Sequence, residues 1–335
     1  MTNTKKNATK KNTTKKNKKR EAKIKEMKIK LRRRIFPKLT KQQITKILYP
    51  FSLENAIESF NILRNSTCEN LTTLDKSGVD FVNYFTSIER LNTSGRLNFS
   101  FFDVYYKFND YYNTKYYFRH AINSLYGDKL LNSNDLEGKI KMLKGFFTLY
   151  LGNIGVFRPV IVKDMICKYK PKVMLDFTMG WGGRLTAACS ENIHKYIGID
   201  LNTNLKPLYA KMVKTLNTLS KTKIQLFFKS ATEVDYSKLD YDFVLTSPPY
   251  YNLEIYNKNS IITKEEWDNA FYIPVFTETY KHLKRGGHYC LNVPMQIYED
   301  VCVKILGKCD EKIPLGRPKR GSTDTYQEHI YVWKK

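Results

Sequence analysis

Residues 173–185 of this 335-residue chain read Val-Met-Leu-Asp-Phe-Thr-Met-Gly-Trp-Gly-Gly-Arg-Leu. A short apolar run ends in Asp176, and glycines follow it at Gly180 and Gly182. Glycine permits a positive φ and lets a ligand approach the backbone, and a helix that begins after such a loop presents free N–H groups. This stretch therefore predicts a strand, a glycine loop and a helix that together hold a nucleotide-type cofactor.

Further apolar runs continue the pattern downstream. The next run ends in Asp200, roughly 20 residues after Asp176, where an acidic residue can hold a ribose diol. A third run precedes residues 230–231, and a fourth ends just before Ser247. Buried strands of this length, with helical segments between them, predict an α/β fold around a mostly parallel sheet.

The fourth run leads into a rigid loop, Thr246-Ser247-Pro248-Pro249-Tyr250. Proline fixes φ and restricts the residue before it, so the backbone stays extended and Ser247 and the Pro248 carbonyl point the same way. Two acceptors beside an aromatic ring suit a planar substrate with an exocyclic amino group. A plain Pro-Pro turn with a surface tyrosine is the alternative, and the upstream pattern argues against it.

These motifs resemble those of the S-adenosylmethionine-dependent DNA amino-methyltransferases, whose substrate loop reads Asp/Asn/Ser-Pro-Pro-Tyr/Phe. Gly-Trp-Gly-Gly-Arg and Thr-Ser-Pro-Pro-Tyr-Tyr-Asn-Leu-Glu-Ile-Tyr look most like the predicted DNA methylases of phages and large DNA viruses. The resemblance covers about 155–335. It implies a Rossmann-like class I methyltransferase fold, doubly wound around a mostly parallel seven-stranded sheet, with S-adenosylmethionine as cofactor. One departure is Phe177-Thr178, where most DNA amino-methyltransferases have Pro-Phe after the acidic residue.

The resemblance also implies roles for individual residues. Ser247 and the Pro248 carbonyl would orient the amino nitrogen, and Tyr250 would stack on a base flipped out of the duplex. The catalytic residues are expected to be Ser247, Pro248, Pro249 and Tyr250. The cofactor-binding residues are expected to be Pro159, Asp176, Thr178, Gly180, Gly182, Asp200, Ser230 and Ala231. The substrate-binding residues are expected to be Tyr251, Glu254, Arg317, Lys319 and Arg320.

Several reactions and functions compete with this prediction. Ser247 is commoner in the family's cytosine-N4 enzymes, so cytosine N4 leads adenine N6, and an RNA amine stays open. Transfer to cytosine C5 needs a thiolate that usually follows a proline, and none of the six cysteines does. The alternative from another class is a nucleic-acid-binding protein on a decayed methyltransferase scaffold. The intact cofactor and substrate motifs argue against such decay.

The net charge of +25 is unevenly distributed and divides the chain into three predicted domains. Residues 1–34 hold 16 Lys and Arg against two Glu, which predicts a disordered basic tail. This tail is either a salt-sensitive tether for nucleic acid or simply solvated. Residues 35–154 carry apolar residues at helical spacing and predict a mainly helical accessory domain. The closely spaced aromatic residues of this domain are expected either to form its core or to stack on bases. Residues 155–335 are the expected methyltransferase domain.

Composition narrows the remaining properties. No apolar run approaches the length of a membrane span, and no signal-peptide pattern opens the chain. Six scattered cysteines are expected to be reduced thiols of an intracellular protein of the cytoplasm or nucleus. The five histidines show no ligand spacing, so no metal is expected. DNA is the expected partner, with RNA possible, and no motif gives the recognition sequence, a partner endonuclease or the oligomeric state.

Overall fold

The computed structural model describes residues 34–68, 74–95, 98–152, 154–251, 263–316 and 327–335. Apart from Arg34, the predicted basic tail lies outside the described residues. The chain divides into two compact units. The first contains residues 1–48 and 97–153, and the second contains residues 49–96 and 154–335.

The second unit is built on one sheet of seven strands. They are β1 Val173–Asp176, β2 Lys195–Ile199, β3 Lys223–Phe227, β4 Phe243–Thr246, β5 His288–Asn292, β6 Glu311–Leu315 and β7 Glu328–Lys334. Their order is β3-β2-β1-β4-β5-β7-β6. Strands β1 to β5 are parallel, and β7 runs antiparallel to both of its neighbours. The expected mostly parallel seven-stranded sheet is confirmed.

Helices cover both faces of this sheet, because alternate strand residues point to opposite sides. Met174 and Tyr196 face one buried cluster, whereas Leu175 and Ile197 face another. The α-helices of the unit are Leu53–Asn65, Val79–Asn92, Pro159–Tyr169, Gly183–Ser190, Lys206–Leu219, Lys264–Trp267, Ile273–Lys281, Met295–Ile297 and Val303–Leu306. Short 3-10 helices span Thr203–Leu205, Ala231–Glu233 and Tyr236–Lys238, and π-helices span Asp268–Tyr272 and Tyr298–Cys302. The fold is therefore doubly wound, as expected.

Two of these helices precede the predicted methyltransferase domain in sequence. Helices Leu53–Asn65 and Val79–Asn92 bury apolar side chains in the same cluster as helix Pro159–Tyr169. The buried ammonium group of Lys163 donates hydrogen bonds to the carbonyls of Leu63 and Arg64, at 2.8 and 2.7 Å. The predicted division at residues 154 and 155 differs from this packing, since residues 49–96 belong to the same compact unit as the sheet.

The first unit is mainly helical. Its α-helices are Lys41–Leu48, Phe101–Tyr106, Phe108–Thr114, Tyr116–Tyr126, Lys129–Asn132 and Leu136–Phe146, and a π-helix spans Phe147–Leu151. Most of its aromatic residues are buried and form its core, among them Phe101, Phe102, Tyr105, Phe108, Tyr112 and Phe118. Tyr116 and Tyr117 are exposed instead. Within the described ranges, no helix of either unit is long and apolar enough to cross a membrane.

One pair of cysteines departs from the expectation of reduced thiols. Cys68 and Cys167 form a disulfide between residues 99 positions apart in sequence. Cys167 lies in helix Pro159–Tyr169, so the packing of this helix beside residue 68 brings the two cysteines together. The expectation is corrected for this pair, whereas Cys189, Cys290, Cys302 and Cys309 are free thiols.

Candidate active site

The carboxyl ends of β1 and β4 define the candidate site. From β1 the chain moves outward to β2 and β3, and then returns to β4 on the other side of β1. Ligands of open α/β sheets bind outside the strand ends at such a switch point. Here the Thr246 hydroxyl donates a hydrogen bond of 2.9 Å to Asp176 Oδ1, so the two strand ends are joined.

Asp176 uses its carboxylate entirely within the protein. Its Oδ2 accepts hydrogen bonds of 2.7 Å from Arg184 Nε and from the Tyr196 hydroxyl, and the residue is 0% exposed. Burial has the largest single effect on the pKa of Arg184 and lowers it, but the charge and hydrogen bond of Asp176, together with Tyr196 and Tyr209, raise this pKa overall. The expected role of Asp176 as a ligand for the cofactor's methionine part stays a prediction beside this structural role. This carboxylate holds Arg184, whose guanidinium also donates to the Thr178 carbonyl.

The glycine loop is tightly packed on one side and open on the other. Gly180 and Gly182 have φ of +55° and +87°, which disfavours other residues there. A Cβ on Gly182 would lie 2.8 Å from Met212 Sδ, and one on Gly183 would lie 2.1 Å from the Phe157 carbonyl. Beside Gly180, the nearest atom to such a Cβ is 3.8 Å away. A ligand can therefore approach the loop at Gly180.

Asp200, at the end of β2, lies next to this open position. Its Oδ2 accepts a hydrogen bond of 2.8 Å from Gly180 N, and its Oδ1 accepts one of 2.8 Å from Asn202 N. Burial raises the pKa of Asp200 to about 6, although these two N–H groups oppose the shift. Each carboxylate oxygen has a further lone pair. Asp200 can therefore accept hydrogen bonds from a diol while it holds the loop.

The remaining expected cofactor residues of this paragraph, Ser230, Ala231 and Pro159, have different surroundings. Ser230 and Ala231 follow β3, so they lie at the same edge of the sheet as Asp200. Ala231 is buried, and its carbonyl accepts a hydrogen bond of 2.8 Å from the Tyr236 hydroxyl. Pro159 begins its helix and is buried next to Gly78. A cofactor contact by Pro159 stays a prediction.

Thr178 connects the glycine loop to the substrate loop. Its Oγ1 lies 2.5 Å from Thr246 Oγ1 and 3.2 Å from the Ser247 carbonyl oxygen, so its one hydroxyl hydrogen is shared between these two acceptors. Most DNA amino-methyltransferases have Pro-Phe in place of Phe177-Thr178. They therefore have a phenylalanine at the position of Thr178, and phenylalanine carries no hydroxyl. The sequence marked Thr178 as a departure and as a cofactor contact, but it did not predict this connection.

The substrate loop is held by a residue that the sequence analysis missed. Ser247 Oγ lies 2.9 Å from the Tyr250 hydroxyl and 3.2 Å from Oδ1 of Asn292, the last residue of β5. The Tyr250 hydroxyl also donates to the main-chain carbonyl of Asn292 at 3.1 Å. A polar residue that ends an apolar strand, as in Tyr289-Cys290-Leu291-Asn292, was the available signal.

The two prolines of the loop differ in their hydrogen bonds. The Pro249 carbonyl accepts a hydrogen bond from the Tyr272 hydroxyl, which anchors the loop to the helical layer. Among the described residues, the Pro248 carbonyl accepts none. Pro248 is itself buried, and it lies next to the half-buried Ser247.

Tyr251 is the one expected substrate-binding residue within the described ranges. Its φ is +41°, which is unusual for a bulky side chain and costs conformational energy. Its ring packs edge-on against Tyr272, with centroids 5.5 Å apart. Burial, followed by the nearby Asp268 carboxylate, raises the pKa of Tyr251. A strained residue directly after the substrate loop is consistent with a role in the site.

The remaining expected substrate-binding residues, Glu254, Arg317, Lys319 and Arg320, lie outside the described residues. Leu315 and Glu328 flank the segment 317–326 and pair with each other, and Ile330 pairs with Asn292. Leu315, at the end of β6, and Glu328, at the start of β7, therefore lie at the edge of the sheet that carries Ser247.

A scan against protein-family models finds no match, and a search of curated proteins finds none. Among solved structures, the chain is similar to an rRNA methylase from Streptococcus thermophilus (12% identity, 54% of this chain and 98% of that one, TM-score 0.37). It is also similar to a methyltransferase from Pyrococcus furiosus (15%, 56% and 92%, TM-score 0.37) and to a putative methyltransferase from Streptococcus mutans (16%, 54% and 51%, TM-score 0.36). At these TM-scores the likeness carries no conclusion about site or substrate.

Proposed function

We propose that the chain is an S-adenosylmethionine-dependent methyltransferase that acts on an exocyclic amino nitrogen in DNA, with cytosine N4 as the favoured target. The observation that carries this proposal is the hydrogen bonding of Thr178. Its hydroxyl lies within hydrogen-bond distance of Thr246 Oγ1 and of the Ser247 carbonyl, so a glycine loop and a Ser-Pro-Pro-Tyr loop adjoin at one switch point.

The residues around the glycine loop fit this cofactor in chemical type. The open side of Gly180 admits a ligand against the backbone. The Asp200 carboxylate can accept hydrogen bonds from the ribose hydroxyls, and Ser230 with Ala231 lies one strand further along, where the adenine would bind. The cofactor supplies a methyl group on a sulfonium, which is a strong electrophile.

The substrate loop would act on the amino group. Its two N–H groups would donate to Ser247 Oγ and to the Pro248 carbonyl, which favours a pyramidal nitrogen whose lone pair faces the methyl group. Because the proton can leave after transfer, no strong base is needed beforehand, and orientation supplies much of the acceleration. Tyr250, whose hydroxyl is fixed on Asn292, would present its ring for stacking on a flipped base.

The nucleic acid and the target base rest on the sequence. Ser247 in the substrate loop favours cytosine N4, and the basic residues 1–34 favour a polyanionic substrate. Adenine N6 and an RNA amine are the second candidates of the same class. A nucleic-acid-binding protein without activity is the candidate from another class. That function would not explain why hydrogen bonds connect Thr178 to Ser247 and Ser247 to Tyr250.

The proposal is tested with Ser247→Ala. We expect methyl transfer to fall on the order of 100-fold, as when one charge-stabilising group is lost, while cofactor affinity stays within about twofold. Transfer is measured with a tritiated methyl group and affinity by calorimetry. Ser237→Ala is the matched control, because Ser237 is exposed and its hydroxyl bonds locally to Asp235. Unchanged transfer in Ser247→Ala, or an equal loss of cofactor affinity, contradicts the assigned role.

A further inference from the structure

We propose that Asn292 is a positioning residue that turns Ser247 into a hydrogen-bond acceptor for the substrate's amino group. The inference rests on the proposed function and adds to it a residue of β5 that lies outside both sequence motifs. Asn292 is 2% exposed, so its amide acts through its protein neighbours.

The orientation of the Asn292 amide is fixed by its surroundings. Nδ2 donates a hydrogen bond of 3.0 Å to the His329 carbonyl, and a carbonyl can only accept. The other end of the amide, Oδ1, therefore faces the substrate loop. It lies 3.2 Å from Ser247 Oγ and 3.1 Å from the Tyr250 hydroxyl.

The hydroxyl hydrogens of the loop can then be assigned. Ser247 and Tyr250 each carry one such hydrogen. Oδ1 and the main-chain carbonyl of Asn292 are two obligate acceptors within 3.2 Å of these hydroxyls. In the proposed arrangement Ser247 donates to Oδ1 and Tyr250 donates to the main-chain carbonyl, in place of donation between the two hydroxyls, which lie 2.9 Å apart. The lone pairs of Ser247 Oγ are left to accept from an N–H of the substrate.

This arrangement meets a requirement that is specific to serine. A free hydroxyl can donate its hydrogen to the lone pair of the amino nitrogen, which is the electron pair that must attack the methyl group. An asparagine at position 247 would accept through an oxygen that carries no hydrogen. Serine needs a partner that removes its hydrogen from the substrate side, and Asn292 Oδ1 is that partner.

The test is a double-mutant cycle between positions 247 and 292. We expect Asn292→Ala to lower kcat about 10- to 100-fold, as for a lost hydrogen bond in the reacting complex. Cofactor affinity and KM should stay within about twofold. In a Ser247→Asn background, which needs no hydrogen acceptor, Asn292→Ala should lower kcat less than about threefold. Thermal unfolding of each variant is followed in parallel, and Asn217→Ala, at an exposed helical position, is the matched control.

Three results overturn the inference alone: a kcat of Asn292→Ala within twofold of the wild type, an equal loss of kcat in both backgrounds, or no transfer by Ser247→Asn itself. The second result would mean that Asn292 is merely structural. If the wild-type protein transfers no methyl group to any nucleic acid, the proposed function fails first and the inference fails with it.

Discussion

Asp176→Asn separates two roles for the carboxylate at the end of β1. The sequence pattern makes Asp176 a cofactor ligand, whereas the structure makes it the counter-ion of the buried Arg184. The substitution keeps the size of the side chain and removes its charge. We therefore expect a large loss of stability and little direct effect on cofactor binding by the molecules that remain folded.

The magnitude follows from the burial of the pair. Arg184 and Asp176 side chains are 5% and 0% exposed, and removal of one partner from a buried ion pair costs about 3–5 kcal/mol. An amide NH₂ at the position of Oδ2 would also face two donors, Arg184 Nε and the Tyr196 hydroxyl. For a unit of this size, each kcal/mol lowers Tm by about 2–4 °C, so we expect a loss of about 6–20 °C.

The assay is urea and thermal unfolding, with cofactor titration by calorimetry at a temperature where the variant is folded. Asp200→Asn is the matched control, and we expect it to weaken cofactor binding and to change Tm by only a few degrees. Unchanged Tm together with a lost affinity in Asp176→Asn would refute the structural role and restore the ligand role.

Three further predictions test other parts of the account. Because burial raises the pKa of Asp200 to about 6 and a ribose diol needs its carboxylate form, the cofactor Kd should be constant above pH 7. Below pH 6 it should rise by up to about tenfold per pH unit, and Asp200→Asn should lack this dependence in calorimetric titrations. Cys68→Ser should lower the free energy of unfolding by about 4–5 kcal/mol without reductant, because the disulfide closes a loop of 99 residues. In dithiothreitol the substitution should change this free energy little, and an equal loss in both buffers would contradict the disulfide. Deletion of residues 1–34 should weaken DNA binding more at low salt than at high salt in filter-binding titrations, and a salt-independent change would rule out a tether.

The sheet and the positions of its loops could be predicted from the sequence. Apolar runs that end in Asp176, Asp200 and Thr246 mark strand ends, and the carboxyl ends of parallel strands share one edge. The glycines after β1 and the Pro-Pro pair are local signals, so they can be recognised without knowledge of the packing.

The contacts between side chains could not be predicted in the same way. Whether Asp176 faces a ligand or an arginine depends on where helix Gly183–Ser190 places Arg184, which is a tertiary property. The same holds for Asn292, which reaches Ser247 only because β5 lies beside β4. Domain boundaries are equally hard to predict. The sequence shows that helix Leu53–Asn65 has an apolar face, but it does not show which hydrophobic core buries that face.

The central claim is tested most directly by nucleoside mass spectrometry after incubation of the protein with labelled S-adenosylmethionine and DNA or RNA from several sources. The account predicts labelled N4-methylcytosine in DNA that depends on Ser247. Labelled N6-methyladenine, or label in RNA only, would move the activity to the second candidates. No label on any substrate, together with no cofactor binding by calorimetry, would contradict the claim and favour a binding protein on this fold.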